Sequence, residues 1–259
     1  MISIAHVSYV AGSTTILSDV SLNGLEGNLT AIVGPNGAGK STALRLMAGD
    51  LTPHAGEVRM AGKWLAEWPL QERAKHRAVL RQHNTLSAHF SVLEVALLGR
   101  TPHAARPTPR DVAIAQEALT AVDMQHAQER SYQELSGGEQ QRVQTARIFA
   151  QVWEPVPCRV LLLDEPTASL DLAHQHLILA GAQNFAAEGA AVVCTLHDLN
   201  LAMQYANHVL VLHRGRGHAF GTPREVFTPL LLSEVFGVAA NVTEETRTGV
   251  RRIHVIGAC

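Results

Sequence analysis

Residues 29–47, LTAIVGPNGAGKSTALRLM, decide the fold. Their centre, Gly34-Pro35-Asn36-Gly37-Ala38-Gly39-Lys40-Ser41-Thr42, matches the pattern GxxxxGK[ST]. Residues 29–33 are a short apolar run of strand type, and residues 41–47 carry helical spacing up to a stop near Gly49. A strand, a glycine loop and a helix in that order make a phosphate cradle. Glycine lets the backbone wrap closely, successive N–H groups point inward, and the helix begins with its positive dipole end at the anion. Lys40 is then set to reach the β- and γ-phosphates of a nucleotide, and the Ser41 hydroxyl to ligate magnesium. Kinases, GTPases and ATPases all use such a loop, so it predicts phosphate binding without choosing the reaction.

Working outward, residues 3–9 and 16–22 alternate as half-buried strands, with turns offered at Asn23-Gly24 and Glu26-Gly27, so the chain opens as antiparallel sheet. Strand signals fade across residues 86–150, where the runs 92–98, 114–122 and 143–150 read as helices and the Pro-rich residues 101–109 as a flexible loop. Buried strands return at 159–163 and 191–196 around a helical run at 172–187, the pattern of a parallel sheet with crossover helices. Residues 209–212 read as a further strand, 223–227 and 230–236 as short helices, and Thr248-Gly249 as the turn of a terminal hairpin.

Residues 160–163, VLLL, deliver Asp164 and Glu165 to the end of a central strand. There Asp164 can join the shell of a magnesium ion and Glu165 can polarise an attacking water; the same pair could instead cap the next helix. Ser136, ahead of Gly137, Gly138, Glu139 and Gln140, makes a helix N-terminus with a hydroxyl and open N–H groups. That is a second anion site, or a plain cap.

Leu135-Ser136-Gly137-Gly138-Glu139-Gln140-Gln141-Arg142 resembles the signature sequence of ABC ATPases. The resemblance runs through nearly the whole chain. It implies an α/β fold: a P-loop NTPase core of ABC ATPase type with an antiparallel β subdomain and an inserted helical subdomain. Residues 1–259 are then one domain, with the core and β subdomain in 1–85 and 158–221, the helical subdomain in 86–157, and a C-terminal extension in 222–259. In the family the Ser136 to Gln140 loop binds the γ-phosphate held by the other subunit, so the resemblance implies a homodimer sharing two sites, with ATP and Mg2+ as cofactors. Tyr9 resembles the aromatic that stacks on adenine, although plain packing also suits an aromatic in an edge strand. Gln82 falls where the family has a magnesium- and water-contacting glutamine. Asp171, in Ser169-Leu170-Asp171, resembles a residue that communicates across the dimer. His197 resembles the switch histidine on the γ-phosphate; alone it would read as a core histidine.

Composition sets outer bounds. The chain has 259 residues, 46% of them apolar, enough for a substantial core. A net charge of −2 gives no reason to expect nucleic acid as partner. No apolar run approaches membrane-spanning length, and MISIAHVSYV does not read as a secretory signal, so a cytoplasmic chain is expected. Three cysteines without a CxxC pair argue against disulfides and zinc, and fourteen histidines are scattered without HxxxH spacing. Residues 82–103, 195–202 and the tail with Gly221-Thr222-Pro223 and Val235-Phe236-Gly237 resemble the importer branch for iron siderophores, cobalamin and haem, nearest to haemin importers. That implies permease subunits in the inner membrane, an indirect periplasmic substrate-binding protein, and a peripheral place on the cytoplasmic face. A soluble ABC ATPase of DNA repair or translation would carry a coiled-coil insertion or a second core, and neither is present in this sequence.

Overall fold

The alternating runs at the start become longer strands, β1 (Ile2–Ala11) and β2 (Thr14–Gly24), paired antiparallel. Gly12, at φ 61°, makes their turn. Asn23-Gly24 makes none: both residues stay in β2, opposite Ser3 and Ile2. Gly24 serves close packing instead, since a Cβ there would lie 2.8 Å from Val193 Cγ2. The computed structural model describes residues 1–82, 89–244 and 251–259. The Thr248-Gly249 turn and residues 83–88 of the stretch 82–103 lie outside the described residues.

Next along the chain come β3 (Leu29–Val33), α1 (Lys40–Met47), β4 (Ala55–Met60), β5 (Lys63–Trp64), α2 (Leu70–His76) and β6 (Arg77–Leu80). Three helices follow, α3 (Val92–Leu97), α4 (Pro109–Ala121) and α5 (Gly137–Gln151). The sheet resumes with β7 (Val160–Leu163), α6 (Leu172–Ala187), β8 (Ala191–Thr195), α7 (Leu199–Tyr205), β9 (His208–His213) and β10 (Arg216–Gly221). The chain closes with α8 (Pro223–Val226), α9 (Pro229–Phe236), β11 (Val238–Glu244) and β12 (Arg251–Ala258).

A six-stranded sheet runs in the order β10-β9-β3-β8-β7-β6, parallel apart from β10. An antiparallel sheet, β2-β1-β4-β5, lies against one of its faces. Strand alternation divides the core between the two faces. Leu29, Ala31, Val33, Leu161 and Leu163 join the helices α3 to α6, while Ile32, Val160 and Leu162 join α1 and the antiparallel sheet. Both sides are therefore covered, which is why these strands read as largely apolar runs. No helix among the described residues is long and apolar enough to cross a membrane.

The helices α3 to α5 form the crossover between neighbouring strands β6 and β7. The Pro-rich loop within it is tied at both ends. His103 Nε2 lies 2.7 Å from Gln151 O, and the buried Arg100 donates to Asp111 Oδ1 at 2.8 Å, Ala150 O at 2.8 Å and Glu154 Oε2 at 2.9 Å. Burial pushes the Asp111 carboxyl upward, but hydrogen bonds from Thr108 and Arg100 outweigh it and hold the pKa down at about 2. The contribution of that depressed pKa to stability is complete above the ordinary value of 3.8 and disappears as pH falls through about 2. Arg100→Met should cost roughly 3–5 kcal/mol, because it strands a buried carboxylate. Urea unfolding at neutral pH checks this, and repeating it between pH 5 and pH 2 should show the variant losing less stability on acidification than the parent.

Candidate active site

The C-terminal ends of four neighbouring parallel strands meet at one edge of the sheet. β3 feeds residues 34–42, β6 leads to Gln82, β7 to Asp164 and Glu165, and β8 to His197. Open parallel sheets place their ligand sites at this edge.

Gly39 caps α1 in the left-handed region, φ 99°, without a side-chain cap, so the first N–H groups of α1 remain available to a ligand. Gly34 is required by close approach: a Cβ would sit 2.1 Å from Leu212 O, at φ 153°. Gly37, at φ 77°, has nothing within 4 Å of that position. Gly34→Ala should therefore destabilise the chain by about 1–3 kcal/mol or more, at least about 1 kcal/mol beyond Gly37→Ala, where only backbone strain acts. Equal costs in denaturant titrations would contradict the contact.

Lys40 Nζ donates to Gly34 O at 2.9 Å and Pro35 O at 3.1 Å, folding the ammonium over the loop. Burial lowers the Lys40 pKa, while the charges of Glu165 and Asp164 raise it. Asp164 is 5% exposed and accepts from the Thr195 hydroxyl at 2.8 Å and the Ser41 hydroxyl at 3.0 Å. Burial raises its pKa, the two hydroxyls lower it and neighbouring Glu165 raises it again. A buried carboxylate hydrogen-bonded to the Ser41 hydroxyl offers hard oxygen donors of the kind that suit magnesium.

Glu165 turns into the cleft at φ 51°, with its N–H on Thr195 Oγ1 at 2.8 Å. Its Oε1 lies 2.6 Å from His197 Nε2, and its Oε2 accepts from Gln82 Nε2 at 2.9 Å. Ile16, Asn36, Gly37, Ala38, Gly39, Lys40, Ser41, Thr42, Glu165 and His197 line an open cleft of about 390 Å³. Sequence reasoning overlooked Thr195, whose hydroxyl donates to Asp164 and accepts from the Glu165 amide. Its signal was present: a hydroxyl ending the buried run 191–195 requires partners inside the protein.

Two sets of expected residues lie apart from this cleft. Tyr9 sits on β1 with its ring edge-on to His54, centroids 5.3 Å apart, and is not among the cleft-lining residues. Ser136 caps α5: its hydroxyl and amide both donate to Glu139 Oε2 at 2.8 Å. Those bonds lower the Glu139 pKa against the effect of burial. Gln140 donates to Tyr132 O and Leu135 O, and a Cβ on Gly138 would be 3.0 Å from Ser169 O, so this loop and residues 169–171 are neighbours. Asp171 caps α6 by accepting from His174 N at 2.9 Å.

The sequence profile described as ABC transporter matches residues 17–168. A protein of Gloeobacter violaceus named Hemin import ATP-binding protein HmuV is 49% identical, with 100% of this chain and 95% of that protein covered. The protein of the same name from Pseudomonas entomophila is 47% identical over 96% of this chain and 97% of its own length. Among solved structures, one assigned to a metal-chelate type ABC transporter in an inward-facing conformation aligns with a TM-score of 0.79 at 26% identity, covering 100% of this chain and 97% of that one. A bacterial ABC transporter cassette with a dimeric structure aligns at 0.74 and 27% identity, covering 86% of this chain and 99% of that one. With the glycine loop, the paired acids and the histidine converging on one cleft, this chain belongs to the ABC transporter family as one of its ATP-binding proteins.

Proposed function

We propose that the chain is the ATP-hydrolysing subunit of a haemin importer, working as a homodimer on the cytoplasmic face of the inner membrane. It drives a membrane permease supplied by a periplasmic substrate-binding protein. The observation that carries hydrolysis is the Glu165 carboxylate, steadied by His197 and Gln82 at the mouth of a cleft floored by the glycine loop and Lys40. The cargo reading is supported by the printed names of the full-length relatives.

Phosphoryl transfer to water needs positioning and charge neutralisation more than covalent help. Lys40 and the open N–H groups of α1 receive the β- and γ-phosphates, and Ser41, Asp164 and Gln82 would hold magnesium. When bound, magnesium neutralises charge on the phosphate oxygens. Glu165 takes the proton of the attacking water, and His197 moves from Glu165 to the γ-phosphate. Tyr9 stacks on adenine. The Ser136 to Gln140 loop of the second copy closes over the same phosphate, with Asp171 orienting the shared site. Cleavage and phosphate release remove the anion between the two copies, and the dimer reopens.

Co-purification of the native complex from membranes, followed by ATP-dependent uptake in proteoliposomes, tests this function. Haemin uptake that stops when ATP is withheld is the expected result. A complex that carries a siderophore or cobalamin and ignores haemin would replace the cargo while keeping the engine.

A further inference from the structure

Asn200 lies in the first turn of α7, just beyond His197. Its side chain makes a reciprocal pair with one residue of the last strand. Asn200 Nδ2 donates to Ile253 O at 3.2 Å, and Asn200 Oδ1 accepts from Ile253 N at 2.8 Å. A neighbouring strand would offer β12 the same two partners, so here a helix side chain stands in for one. On its other edge β12 pairs with β11, with Ile253 opposite Val242. The Ile253 side chain is buried and belongs to the main core, as does Ala240 of β11. The hairpin thus has its own apolar anchorage and uses the amide to grip α7.

That grip reaches the cleft through a short backbone path. Leu196 N donates to Ile32 O at 3.1 Å, which ties the residue before His197 to β3. Asp198 Oδ1 accepts from Asn200 N at 2.7 Å and Leu201 N at 3.1 Å, which closes the turn after it. The His197 side chain is 50% exposed, so its aim depends on the backbone that carries it more than on packing.

We infer that Asn200 is a positioning residue for ATP hydrolysis: the C-terminal hairpin braces the first turn of α7 and thereby aims His197 at Glu165 and the bound phosphate. This rests on the proposed phosphate contact of His197. An aiming error on the ångström scale is enough to slow a reaction severalfold to a hundredfold while leaving nucleotide affinity intact.

The test uses the full chain and its steady-state and single-turnover ATP hydrolysis. Asn200→Ala should lower kcat about tenfold with the KM for ATP within about twofold of the parent. Asn200→Asp keeps the acceptor for Ile253 N–H but loses the donor, so it should fall between the two; it also provides the reading should Asn200→Ala fail to fold. Arg251→Ala removes the exposed Arg251–Glu244 pair but leaves the clip and the buried Ile253 side chain in place, and should turn over normally. In a His197→Ala background, Asn200→Ala should slow single turnover by less than about twofold, because its effect passes through the missing ring. A normal kcat for Asn200→Ala and Asn200→Asp, or an undiminished loss in the His197→Ala background, overturns the brace. Parent-like hydrolysis by His197→Ala overturns the underlying role of His197 as well, and is told apart because failure of the brace alone leaves that variant slow.

Discussion

Glu165→Gln should lower steady-state ATP turnover roughly a hundredfold or more while ATP still binds and still closes the dimer. The amide keeps the shape of the carboxylate, so it can still occupy the place between His197 and Gln82, 2.6 and 2.9 Å from Oε1 and Oε2. It cannot take a proton from water. The substitution also removes a negative charge facing the cleft, one of the two that raise the Lys40 pKa. An incoming polyphosphate then meets less repulsion, and its affinity should equal or exceed that of the parent. Phosphate release, nucleotide titration and gel filtration with ATP together check the result. Near-normal hydrolysis would take the general-base role away from Glu165.

Lys40→Ala should abolish nucleotide binding at ordinary ATP concentrations. Lys40 is 6% exposed and brings a positive charge to the floor of the cleft, where two buried or half-buried carboxylates already gather. Each charge-assisted hydrogen bond is worth about 1.5–3 kcal/mol, so losing contacts to two phosphates weakens binding on the order of a hundredfold or more. Without ligand, the ammonium also tethers Gly34 O and Pro35 O, so some loosening of the loop accompanies the change. Thermal unfolding without nucleotide separates that loss from the binding defect, which isothermal titration reads directly. Unchanged ATP affinity would contradict the phosphate-loop assignment.

Much of the sheet could be read from the chain because its strands are covered on both faces. Residues 29–33, 160–163 and 191–195 are fully buried and apolar apart from Thr30 and Thr195, and α6 begins and ends where its periodicity does. β6 escaped because an edge strand of four residues, Arg77–Leu80, is flanked by charge and looks like the end of α2. β4 and β5 escaped because they are short, half-exposed or exposed, and carry glycine and charge. The turn at Asn23-Gly24 was misread because glycine signals both tight turning and tight packing, and only the position of Val193 decides between them.

Within the cleft, Lys40, Ser41, Asp164, Glu165, Gln82 and His197 were legible as motif residues, and the structure brings them together. Their mutual bonds were not legible, because His197 to Glu165 and Gln82 to Glu165 join residues far apart in the chain. Thr195 reaches its two partners, the consecutive Asp164 and Glu165, only when β7 and β8 lie side by side.

The strand that launches the glycine loop has no neighbour close to it in the chain. β3 sits between β8 and β9, with Leu29 beside Val192 and Ala31 beside Val209. A ribosome therefore delivers the phosphate cradle early and its flanking strands only after most of the polypeptide has emerged. Pairings of such long range form late and slowly, so a nascent or truncated product ending before β8 presents an unpaired apolar strand that invites chaperones or aggregation. A copy interrupted before β8 also lacks Thr195 and His197, the residues that hold Asp164 and Glu165 in place.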